Sequence, residues 1–124
     1  MFLKIENGML HIMTQYGILK EKGLEYVQEL VGGRVETVPV PSVIEGRDLV
    51  GYCNADASNL RPTCRVEGYK GVIFGPLVVV GVDEEGGLRP MDFQKECGFF
   101  ELIYEEGEVF PILRRRTESW MSRE

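Results

Sequence analysis

Metal and nucleophile chemistry is thinly stocked in this chain. Among 124 residues there is one histidine, His11, and there are three cysteines, Cys53, Cys64 and Cys97. No C-x-x-C or H-x-x-x-H pair occurs, so a zinc site would have to gather ligands from three distant segments. An odd number of widely spaced cysteines is also a poor disulfide framework and fits a reducing compartment. Long apolar runs are missing too. The longest, Val72 to Val82, is broken by Gly75, Pro76 and Gly81 and reaches about half a membrane span, so it reads as a core strand and predicts no membrane partner. The opening MFLKIENG lacks the charged segment and long apolar stretch of a signal peptide, which sets a cytoplasmic expectation. Positive charge is in deficit. A net charge of −6 argues against direct nucleic-acid binding, where neutralising phosphates dominates affinity.

What is present suits one soluble domain, with 44% hydrophobic and 27% charged residues. The charge is unevenly placed. Between Asp83 and Glu108 nine acids face only Arg89 and Lys95, whereas Arg47 to Lys70 is close to balanced. Arg114, Arg115 and Arg116 form a basic run near the end.

Patterning predicts an α+β fold. Leu3 and Ile5, then Leu10 and Ile12, alternate with polar residues around Asn7-Gly8, a strong hairpin signal because both residues tolerate positive φ. Thr14 to Gly23 reads as a linker. Leu24 to Val31 has helical spacing and ends at Gly32-Gly33, making it the one main helix, at 24–31. Arg34 to Val40 switches to strand period, and its Pro39 and the following Pro41 mark an edge. Asp48 to Asn54 reads as a strand and Ala55 to Arg65 as a polar loop. Gly71 to Val82 reads as strand interrupted at Gly75-Pro76, and Phe99 to Tyr104 with Val109 to Leu113 as a hairpin. Close strand spacing predicts a mostly antiparallel sheet, free to curl into a partly open barrel. The expected division is a domain over 1–113 and a basic tail or short helix over 114–124.

In order, IENGMLHI, LEYVQELVGGRVE, LVGYCNADA and GVIFGPLVVVGVD form a series. It resembles a family of small proteins known only as a domain of unknown function, with members in bacteriophages, plasmids and integrative elements. Asn7-Gly8, Gln28, Val31-Gly32-Gly33, Glu36, Asn54, Gly75 and Asp83 stand at matching places, across roughly Ile5 to Asp83. One departure is Cys64, where relatives commonly carry asparagine. The resemblance implies an accessory protein of mobile DNA acting in a host cytoplasm, and carries over no activity.

Candidate binding residues concentrate in the segment from Tyr52 to Arg65: Tyr52, Asn54, Ser58, Asn59, Arg61, Thr63 and Arg65. Arginine offers a planar fork of donors for phosphate or carboxylate, and asparagine and serine fix orientation. A partner surface is expected at Arg114, Arg115, Arg116 and Trp120. Catalytic groups fare less well. Cys64 beside Arg65 has a cation to lower its pKa but no neighbouring base. Asp83-Glu84-Glu85 sits at a glycine turn, suited to solvent. Gly32-Gly33 follows its helix where a phosphate loop precedes one. No catalytic residue, metal or cofactor is therefore assigned. The expected function is a non-enzymatic binding protein of a phage or mobile element. It would interfere with host defence by binding a defence protein or by sequestering a small anionic nucleotide signal. Two alternatives stay open: a small enzyme using Cys64 or an acid near Asp56, and an acidic interaction or regulatory module. Uncovered sheet edges add the expectation of a homodimer or higher oligomer.

Overall fold

A computed structural model describes residues 1–116, with Ser58 described in its backbone alone. Strands β1 (Phe2–Glu6) and β2 (Met9–Met13) form the N-terminal hairpin. At its turn Asn7 has φ 54° and Gly8 φ 74°, the positive values a two-residue hairpin needs. Two helices follow: α1 (Tyr16–Lys22) and α2 (Leu24–Val31). The first corrects the linker read from sequence at 14–23, so the described residues hold two α-helices where one main helix was expected. Seven residues are too few for stability from propensity, and α1 is held by packing, with Leu19 fully buried. Gly23 separates the helices, its φ of 62° turning the chain while its N–H bonds Leu19 O at 2.7 Å.

The remaining strands are β3 (Val35–Val40), β4 (Leu49–Asn54), β5 (Pro62–Val66), β6 (Val72–Phe74), β7 (Leu77–Val82), β8 (Leu88–Arg89), β9 (Phe100–Ile103) and β10 (Ile112–Arg115). Two sheets result, in place of a partly open barrel. The larger has the order β2-β1-β7-β4-β3, with β8 paired to β7; the smaller has the order β6-β5-β10-β9. All pairings are antiparallel except β5 with β10. The fold class is α+β, as the sequence indicated.

Period-two alternation places the layers. Leu3, Ile5, Val38, Cys53, Leu77 and Val79 face the smaller sheet, where Cys64, Val66, Ile73, Phe100 and Leu113 meet them. Phe2, Tyr52, Val78 and Val80 face the opposite way, onto Leu19, Val27 and Val31 of the helices. The molecule is thus three layers: helices, six-stranded sheet, four-stranded sheet.

Two further sequence readings change. Pro62–Val66 is a strand and not the end of a loop, because Cys64 and Val66 alternate into the core. Strand β10 runs on through Arg115, so the division at 113/114 falls inside a strand. The interruption at Gly75-Pro76 is a true break. It carries the chain from the smaller sheet to the larger, between β6 and β7. Among the described residues no helix is long and apolar enough to cross a membrane.

Candidate functional site

The residues expected to bind in the Tyr52–Arg65 segment do not form one surface, because strand alternation and a helix end divide them. Tyr52 is buried on the helix-facing side of the larger sheet, and burial pushes its phenol up from the ordinary value. Asn54 is a structural clamp. Its Nδ2 donates to Val31 O at 3.1 Å, capping a free carbonyl at the end of α2, and its Oδ1 accepts the Asp56 N–H at 2.7 Å. Gly33 leaves room for it, since a Cβ there would stand 3.1 Å from Nδ2. The two N–H groups of Gly32 and Gly33 both bond Gln28 O, closing the same helix end. The glycine pair and the asparagine that the sequence places 21 residues apart are therefore one unit. Beside it Arg34 holds Asp56 at 2.8 Å, and that guanidinium keeps the Asp56 carboxyl below its ordinary value.

Ser58 and Asn59 lie in a short 3-10 turn, Ala57–Asn59, with Asn59 exposed. Thr63 is buried, its hydroxyl donating to Gly75 O across the sheet-switch corner. Arg65 is occupied by Glu108 at 3.0 Å. Of the seven residues, Arg61 and Thr63 line a common cavity.

That cavity, about 550 Å³, opens where four connections converge at one end of the two sheets. They are the β1–β2 turn (Glu6, Asn7, Gly8), the entry to β5 (Leu60 to Thr63), the Gly75-Pro76 switch, and the β9–β10 connection (Tyr104, then Val109 to Pro111). Three exposed apolar side chains stand there: Leu60, Tyr104 and Val109. Only the second of the four connections was read from sequence as a binding segment; the other three were read as turns and breaks. The signal for the fourth was present in Tyr104, Val109 and Phe110, apolar residues set in an acidic stretch too short of strand period to enter the core.

Arg61 differs from the other arginines. Among the described residues Arg34, Arg47, Arg65, Arg89, Arg114, Arg115 and Arg116 each meet a carboxylate, on Asp56, Glu96, Glu108, Glu96, Glu101, Glu67 and Glu101. Within the same residues the Arg61 guanidinium meets none, while its backbone carbonyl accepts the Gly75 N–H at 2.8 Å. It is exposed and lines the cavity. At the expected partner surface, Arg114 to Arg116, each side chain also bonds within the chain. Arg114 bonds Glu101 at 3.1 Å, Arg115 bonds Glu67 at 2.7 Å and Ser42 O, and Arg116 bonds Gly98 O. Trp120 lies outside the described residues.

The cysteines are all buried and unbridged. Burial pushes the Cys64 thiol up to about 12 and the Cys97 thiol up to about 11, the reverse of what a nucleophile needs. His11 is exposed on β2. No cluster of three or more metal-ligating side chains occurs among the described residues.

No curated protein and no solved structure gives a match to the chain. One family does, described as a domain of unknown function (DUF3846), over residues 2–99. The match takes in the hairpin turn, the Val31-Gly32-Gly33 and Asn54 unit, Arg61 and the Gly75-Pro76 switch; the β9–β10 connection lies beyond it. By that match, the chain belongs to the family of the domain of unknown function DUF3846.

Proposed function

We propose that this chain is a binding protein without chemistry of its own, whose ligand is a small anion-bearing molecule taken into the cavity at Arg61. The observation that carries the reading is that, among the described residues, the Arg61 guanidinium meets no carboxylate while the other arginines are each matched to an acid. A guanidinium fork suits phosphate or carboxylate oxygens. Leu60, Tyr104 and Val109 offer an apolar wall to a planar body, and about 550 Å³ is in the ordinary range for a small-molecule site. Anion and planar ring together describe a nucleotide. In the mobile-element setting that the family resemblance implies, holding such a nucleotide would withdraw a host defence signal. The cysteine route to an enzyme has little support, because Cys64 is fully buried. The route through Asp56 has little either, since that carboxyl is locked to Arg34.

The test is calorimetric titration of the full chain with linear and cyclic nucleotides at low salt. Arg61→Ala is expected to weaken binding roughly ten- to a hundredfold, the worth of about 1.5–3 kcal/mol for a charge-assisted hydrogen bond. Arg65→Ala, whose side chain is spent on Glu108, is expected to bind as the parent does. Failure of every nucleotide to bind, or undiminished binding by Arg61→Ala, would overturn the proposal.

A further inference from the structure

Among the described residues the sheets end in four strands, β2, β3, β6 and β9, besides the two-residue β8 on β7, and three of the four are guarded. β3 carries Pro39 and the exposed Glu36. β6 is only three residues long and stops at Gly75-Pro76. β9 carries Glu101 and runs directly into Glu105 and Glu106. These are the usual devices that keep an edge from pairing with another chain: proline, charge and shortness.

β2 has none of them. Its residues, Met9-Leu10-His11-Ile12-Met13, include no Asp, Glu, Lys or Arg, no proline and no glycine. It pairs with β1 through five consecutive positions without a bulge, so its outer backbone groups are presented in regular strand geometry. Among the described residues no strand pairs with that outer side. Met9 is 59% exposed and His11 is exposed beside it.

We propose that β2 pairs antiparallel with β2 of a second copy of this chain, joining two six-stranded sheets across a twofold axis at His11. Charge selects this occupant. Each copy carries −6, so two copies repel wherever carboxylates meet. The β2 edge carries no carboxylate, and the Lys4 and Glu6 side chains on the strand behind it neutralise one another at 3.2 Å. The strand is also its own antiparallel complement. About His11, Met9 falls opposite Met13 of the second copy and Leu10 opposite Ile12, so each apolar residue meets another and the twofold pairing closes on itself. Five residues of pairing make a small interface, which sets a concentration-dependent dimer. The pairing is independent of the ligand reading, because Arg61 takes no part in it.

Analytical ultracentrifugation of the full chain from micromolar to millimolar concentration tests it. The weight-average mass is expected to climb from 14.1 kDa toward twice that value. His11→Lys sets like charges opposite each other at the axis and is expected to hold the mass at 14.1 kDa throughout. Because His11 already sits opposite Lys4 inside the hairpin, circular dichroism and a thermal melt accompany the variant. An equimolar mixture of His11→Lys and His11→Glu chains is expected to restore the dimer, which a folding defect would not allow. Thr37→Lys, on the guarded β3 edge, is expected to dimerise as the parent does. A parent chain that stays monomeric, undiminished dimer in His11→Lys, or a mixture that stays monomeric would each overturn the proposal.

Discussion

Asn54 spends both ends of its amide on the backbone, one on the last turn of α2 and one on the turn after β4. It is buried, so removing it strands the Val31 carbonyl without a partner. Asn54→Ala is expected to cost about 1–3 kcal/mol, read as a lower urea midpoint with unchanged slope. Gly33→Ala is expected to push on the same amide from the other side, and the double variant to fall short of additivity because the two sites touch. Cys64 makes a second prediction at this scale. With its thiol pushed up to about 12 by burial and then by neighbouring Cys53, it is expected to resist a thiol reagent at neutral pH until the chain is unfolded. Rapid labelling of the native protein would reopen the enzyme reading. The sequence exposed the polar residue types between positions 52 and 65, but not their directions. Nothing local distinguishes Asn54, which turns inward to a helix end, from Asn59, which faces solvent.

Between β8 and β9 the chain has little regular structure, and a single carboxylate organises it. Glu96 is fully buried, and accepts both Arg89 nitrogens at 2.9 Å, Arg47 at 3.2 Å and the Asp92 N–H at 3.0 Å. Burial by itself would raise this carboxyl. The bonds from Arg89, from the Asp92 amide and from Arg47 outweigh it and hold the group below its ordinary value of 4.5. A carboxyl lowered on folding contributes its stability above the unfolded value and loses it as pH falls through the folded one. Glu67, lowered chiefly by its hydrogen bond from Arg115, acts in the same direction. The urea midpoint is therefore expected to drop between about pH 5 and pH 3. Glu96→Gln is expected to flatten that dependence and to cost about 3–5 kcal/mol at neutral pH, since two arginines lose their counter-charge. Elements with a local signature were legible: the Asn7-Gly8 hairpin, the amphipathic α2 with its glycines, and the Gly75-Pro76 break. α1 was not, because its helix rests on Leu19 meeting a core that only the tertiary fold supplies. The cavity was half legible, since three of its four connections join the fourth through pairings distant in sequence.

At the scale of the molecule, the two sheets are built from distant partners. β1 lies between β2 and β7, with Leu3 opposite Val79, and β7 lies between β1 and β4. Non-local pairing of this kind requires large loops to close before any contact rewards them, so refolding is expected on a millisecond-to-second scale by stopped-flow fluorescence. A microsecond phase carrying the full amplitude would contradict this. The placement of β7 also has a consequence during synthesis. The β1–β2 hairpin leaves the ribosome well before β7, and the inner side of β1 has no neighbour until residues 77–82 have followed it. Until then the nascent chain shows two open flanks of one apolar hairpin. A pause or truncation ahead of Leu77 therefore yields a species that has to be shielded by a chaperone, because the strand that would shield it has not been made.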